Sequence, residues 1–147
     1  MTTSERGVPS VERDHEQMPW PGDLANAVGL LAFEADKLEW LALKDTPGYR
    51  GVDIPGVFLK FFGEANKGPW AYLVRHDPGT IVGRHSHNGN VIHYLLEGSW
   101  KLGSQEKGPG WFHYEQKGLR YGPIISGPQG SLFLAIYDAE PDFIPAE

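Results

Sequence analysis

An all-β fold, a small barrel or double-sheet jelly roll behind an extended arm, is what this sequence predicts, on three observations. First, 19 Gly and 12 Pro in 147 residues set a turn every few residues. Second, the segments between the turns are strand-sized apolar runs at near-regular spacing. Third, no helical pattern of the kind a βαβ fold requires separates one run from the next. A single domain is expected, because the length suits one core and is too short for two ordinary ones.

Residues 1–22 are polar and broken by Pro9, Pro19 and Pro21, so they read as a flexible N-terminal arm, with one domain over 23–147. LANAVGLLAFEADKLEWLAL, 24–43, fits either a short helix or two short strands; extended structure is favoured at Leu38–Leu43. TPGYRG and DIPG are turn sequences, Pro presetting one dihedral and Gly accepting the positive one. The strand runs follow: VFLKFFG (57–63), WAYLVRH (70–76), TIVGRHSH (80–87), VIHYLLEG (91–98), SWKLG (99–103), WFHYEQ (111–116), RYGPIIS (120–126) and SLFLAIYD (131–138). Strands so short and so regularly spaced suit antiparallel pairing in a barrel or jelly roll.

Composition removes several function classes. With 13 Lys+Arg against 19 Asp+Glu and no basic stripe, nothing here would neutralise a phosphate backbone, and no nucleic-acid partner is expected. The start MTTSERGVPSVERDHEQ lacks the basic and apolar parts of a secretion signal, and no window reaches the length of a membrane span; a cytoplasmic protein with no membrane partner is the expectation. The absence of cysteine leaves imidazole, carboxylate and phenol as the metal-binding groups.

Three of the six histidines fall within nine residues, in GRHSHNGNVIHYLLEGSW, 83–100. On a strand, His85 and His87 project from one face while Arg84 and Ser86 point away. HNGN reads as a hairpin turn. If His87 faces Val91 across it, His93 comes opposite His85 and three imidazoles converge. The competing reading is a set of hydrogen-bonded strand histidines, since a one-residue slip of register turns His93 away. Ile92, Tyr94 and Leu96 are apolar like their neighbours, so this strand is expected to be buried on both sides, where an imidazole needs a partner.

Gly79, His85, His87 and Gly98 together resemble the first cupin motif, G-x5-H-x-H-x(3,4)-E-x6-G, with Val91 at the glutamate position. GWFHYEQKGLRY resembles the second motif more loosely: Gly110 and Gly118 fit, Gln116 stands where proline is usual, and Tyr121 where the last metal histidine is usual. Over about 38–138 the run order is similar to the cupin group that includes anti-sigma-factor cupin domains, acetylacetone-cleaving dioxygenase and dihydroxyacetophenone dioxygenase. That resemblance implies a double-stranded β-helix, the cupin jelly-roll barrel. It also implies iron(II) as the cofactor, with zinc, nickel or manganese as alternatives. His85 and His87 carry over as metal ligands. The third position is completed by His93, by Tyr121 as a phenolate, or by neither, ranked in that order.

Around these residues, Phe112, Tyr114 and Gln116 are expected to share the inward face, with Gln116 and Tyr121 as the catalytic candidates. Tyr114 reads as core packing and His113 as a surface or interface residue. His15 and His76 are poor ligand candidates, and Glu97 and Glu115 receive no catalytic role. The resemblance implies an oxygen-dependent cleavage of a small diketone or hydroxyketone, with dioxygen as co-substrate. The alternative is a metal- or ligand-binding sensor without catalysis. The aromatic-rich strands and the arm suggest a homodimer.

Overall fold

The computed structural model describes residues 33–49, 51–64 and 66–146. The expected arm, and the first part of the 24–43 segment, lie outside them. The chain divides into two units, 1–37 and 38–147. In the first, Ala35–Lys37 forms one 3-10 turn. The second unit carries the strands: β1 (Leu41–Ala42), β2 (Val57–Glu64), β3 (Gly68–His76), β4 (Ile81–Val82), β5 (His85–Ser86), β6 (Val91–Leu102), β7 (Gln105–Lys107), β8 (Phe112–Glu115), β9 (Ile124–Tyr137) and β10 (Ile144–Pro145). Extended structure at Leu38–Leu43 shrinks to the two residues of β1, because the chain turns into a 3-10 segment at Leu43–Asp45.

Every pairing is antiparallel. The main sheet runs β1-β2-β3-β9-β6-β7, with β4 on β9 and β8 on β6, while β5 and β10 pair separately. This is the jelly-roll architecture that the run spacing predicts. The two long strands bend the sheet into it. The later part of β9 pairs with β3 and with the start of β6, while Ile124–Ser126 pairs with the end of β6, and Ile124 and Ile125 with β4. Between these halves the β6 register shifts at Leu95/Glu97 and again at Gly98/Trp100. Bulges of this kind increase twist and turn a strand round a corner. Gly98 makes the corner feasible: its φ is +78°, and a Cβ built there would lie 2.0 Å from the Gly130 carbonyl oxygen.

The inward faces follow the two-residue period. In β3, Trp70, Tyr72, Val74 and His76 are all buried, with partly exposed residues between them. Val91, His93 and Leu95 in β6 and Phe133, Ala135 and Tyr137 in β9 close the core from the other side. The expectation that β6 is buried on both sides is corrected: Tyr94 and Leu96 are exposed, and so are Phe112, Tyr114 and Ile136. One face of this antiparallel layer is core, and the other lies at the surface.

Candidate metal centre

His85, His87, His93 and Tyr121 all line one cavity of about 60 Å³ inside the barrel, together with His76, Tyr49, Tyr137 and apolar residues such as Val74 and Phe143. A larger concavity of about 590 Å³ on the outside shares only His76 with this group. A third, of about 270 Å³, lies on the other side of Tyr121 and is lined by Trp111, His113, Glu115 and Leu119.

The route to that convergence differs from the expected hairpin. β5 does not pair with β6: it pairs with β10 and forms a bridge to Tyr121, His85 and Tyr121 exchanging two backbone hydrogen bonds of 2.9 Å. Directly opposed residues present side chains on the same face, so this bridge sets the phenol beside the imidazole. HNGN is not a free two-residue turn either. Asn90 is held by Asp138, Asn88 N–H donates to Asp142, and Gly118 N–H donates to the His87 carbonyl.

Hydrogen bonds fix the ring protons. His85 Nδ1 lies 2.6 Å from the Gly83 carbonyl, and His87 Nδ1 lies 2.6 Å from the Asp142 carbonyl. A carbonyl only accepts, so each Nδ1 carries the proton and each Nε2 presents a lone pair. Both Nε2 atoms lie 2.9 Å from the Tyr121 hydroxyl. That hydroxyl has one proton, so it satisfies one lone pair and leaves the other facing oxygen. Burial lowers the His85 pKa to about 4, against the opposing pull of the Gly83 carbonyl, so His85 Nε2 keeps its lone pair at neutral pH. Burial, and then the charge of Glu115, hold the Tyr121 phenol well above its ordinary range. Two imidazole lone pairs and a phenol oxygen facing one another suit a divalent metal, a Lewis acid that would also ionise the phenol.

A second cluster was not anticipated. The ligand atoms of His93, His113 and Glu115 lie within 4.8 Å of one another, close enough to share an ion. His113 Nε2 is 2.8 Å from Glu115 Oε2 and 2.9 Å from His93 Nδ1. The expectations for β8 are therefore corrected: His113 is largely covered and Glu115 is buried, whereas Phe112, Tyr114 and Gln116 are exposed. The reason is register. His93 pairs with His113 and Val91 with Glu115, and since His93 and Val91 face inward, their partners must too. Gln116 thus stands outside the cavity. Within the cluster, the Trp111 indole N–H donates to His113 Nδ1 at 3.0 Å. A neutral His113 therefore carries its proton on Nε2, where His93 Nδ1 accepts it, while neither Glu115 oxygen has a hydrogen-bond partner among the described residues. Burial, and then the neighbouring His113, hold His93 well below the ordinary histidine range.

His76, set aside on the sequence, is 5% exposed, lines the cavity, and has a buried Nδ1 with no hydrogen-bond partner among the described residues. The alternation of Trp70, Tyr72 and Val74 on β3 was the signal that could have placed it inward.

Solved structures of similar fold include the polyketide cyclase RemF from Streptomyces resistomycificus (18% identity, TM-score 0.61, covering 80% of this chain and 86% of that one). An acetylacetone dioxygenase from Acinetobacter johnsonii is similar at 12% identity and TM-score 0.53, covering 82% and 80%. KdgF from Halomonas sp. is similar at 20% identity and TM-score 0.54, covering 78% and 94%. No curated protein matches the chain. The family model for the ChrR cupin-like domain matches residues 29–138, three quarters of the sequence and nearly all of the strand-bearing unit, and the chain belongs to that family.

Proposed function

We propose that this cupin is a metal-dependent dioxygenase that cleaves a small diketone or hydroxyketone with dioxygen. The observation that carries the reading is the pair of Nε2 lone pairs, on His85 and His87, converging on the single Tyr121 oxygen. Those three atoms are the proposed ligands. His93 lines the same cavity, but its Nδ1 accepts the His113 Nε2 proton, so neutral His93 carries its own proton on Nε2 and is read as a wall residue rather than a ligand. Of the two clusters, the one at His85 and His87 is favoured for the ion because the Trp111 N–H leaves the His113 Nε2 proton in the way of a metal.

Iron(II) bound there would supply the redox chemistry with dioxygen, and zinc, nickel or manganese would compete for the same donors. The rest falls to the chain. The Gly83 and Asp142 carbonyls orient the two imidazoles and keep their Nε2 atoms free of protons. Val74, Phe133 and Phe143 keep the cavity apolar, which strengthens each polar contact made inside it. The acetylacetone dioxygenase among the structural relatives motivates the substrate class. A homodimer through the exposed apolar face around Tyr94, Phe112 and Ile136 is part of the same proposal.

The test is oxygen uptake by iron-reconstituted protein with acetylacetone as substrate. Uptake that disappears in His85→Ala supports the reading; full turnover by that variant sinks the mechanism. The family match motivates a second reading, a non-enzymatic metal-binding sensor. Metal binding without oxygen uptake across a diketone and hydroxyketone panel would favour it.

A further inference from the structure

We propose that the hydroxyl pair of Tyr49 and Tyr137 donates one hydrogen bond into the barrel cavity, to a carbonyl or enolate oxygen of the bound molecule. The choice of that oxygen class rests on the diketone reading; the donor itself does not.

Four tyrosines pack in and around the cavity: Tyr49, Tyr72, Tyr121 and Tyr137. The Tyr72 hydroxyl donates to the Pro47 carbonyl at 2.6 Å, a structural use that pins the turn before Tyr49. The Tyr121 hydroxyl serves the two imidazoles. Tyr49 and Tyr137 hydrogen-bond to each other, Tyr49 donating. One proton is used in that contact. The Tyr137 proton remains, and no acceptor for it is found among the described residues.

Its position gives it a use. Tyr137 is 7% exposed, lines the cavity, and its ring edge meets the His87 ring at 5.5 Å. The Tyr137 ring is thus a neighbour of a proposed metal ligand, in a cavity walled by apolar residues and by the rings of His76, His85, His87, His93 and Tyr121. A molecule entering that space with only donor groups would leave the phenol proton unmatched, whereas an acceptor oxygen completes it. Tyr49, accepting nothing and donating to the Tyr137 oxygen, polarises that second O–H and makes it the better donor. Burial keeps both phenols protonated at neutral pH, so the donor is present throughout the working range. The arrangement selects for oxygen acceptors beside the ligands, and the diketone enolate is the acceptor that also chelates a metal.

The experiment compares wild type, Tyr137→Phe and Tyr49→Phe, each near-isosteric with the native chain. Zinc affinity is measured by competition with a chromophoric chelator. Acetylacetone is then titrated calorimetrically into the zinc-loaded proteins, with imidazole as a control ligand that offers no acceptor oxygen. Tyr137→Phe is expected to weaken acetylacetone about tenfold or more, as loss of a hydrogen bond to a charged oxygen does. Zinc and imidazole affinities should stay level, which a general loss of packing would not leave unmoved. Tyr49→Phe should give a smaller loss, and the double variant should fall short of the product of the two single effects. Equal acetylacetone affinity in Tyr137→Phe and wild type overturns the inference, as does a wild type that binds no acetylacetone. If zinc does not bind, the same titration is run on apo-protein: a Tyr137-dependent affinity there upholds the donor while the metal reading fails, and a Tyr137-independent one overturns the donor.

Discussion

Lowering the pH should destabilise this domain through His76, and the size of the effect follows from its burial. The His76 imidazole is 5% exposed, its Nδ1 has no partner among the described residues, and burial lowers its pKa from 6.5 to about 4. Between those values the unfolded chain binds a proton that the folded one refuses, so stability falls as pH drops through that window and is intact above it. From pH 7.5 to pH 5.0 this one group should cost about 2 kcal/mol, rising to about 3 kcal/mol below pH 4. His85 and His93 are shifted in the same direction, so the wild type will fall further than His76 alone dictates. The variant His76→Gln isolates the share of His76 by removing its titration. Urea unfolding of metal-free protein, followed by tryptophan fluorescence at both pH values, reads the difference. The wild-type midpoint should drop by roughly 1 M more than that of the variant. Equal midpoint shifts in the two proteins would refute the claim that His76 is buried and neutral.

Three further outcomes are expected. Gly98→Ala should cost about 3 kcal/mol or more in the same assay, because it adds left-handed strain to a Cβ that meets the Gly130 carbonyl; a loss under 1 kcal/mol would mean the corner is not so tight. Ser131→Ala should cost about 1–3 kcal/mol, since the fully buried Trp100 indole N–H donates to Ser131 Oγ at 3.0 Å and would lose its acceptor; an unchanged midpoint would show that another group takes the proton. Zinc at about a hundred times its dissociation constant should stabilise wild type by about 2.7 kcal/mol and should not stabilise His85→Ala, as thermal melts with and without the ion would reveal.

The sequence carried the fold well, because its evidence is local: turn residues at short intervals and alternating strands state the architecture without any long-range fact. Tyr121 and the pair His85 and His87 were legible for the same reason, each having a fixed place in a motif. What failed depended on register. The partner of His85 is Tyr121, not His93, because β5 crosses to β10 and the 121 region, and no pattern inside HNGN announces that pairing. On β8 the inward set is His113 and Glu115 rather than Phe112, Tyr114 and Gln116. A hydrophobicity count votes for Phe112 and Tyr114, but the ladder with β6 decides, and it matches His113 to His93. The buried polar cluster is thus the place where local preference and the global fold disagree, as polar sites in a barrel core often do.

The central claim is that a metal belongs at His85 and His87, not at the His93, His113 and Glu115 cluster. Elemental analysis of protein purified without chelator, for wild type beside His87→Ala and His113→Ala, separates the two. The account predicts near one equivalent of metal per chain in wild type, its loss in His87→Ala and its retention in His113→Ala. Metal kept by His87→Ala and lost from His113→Ala would contradict the account and move the ion to the cluster on β6 and β8.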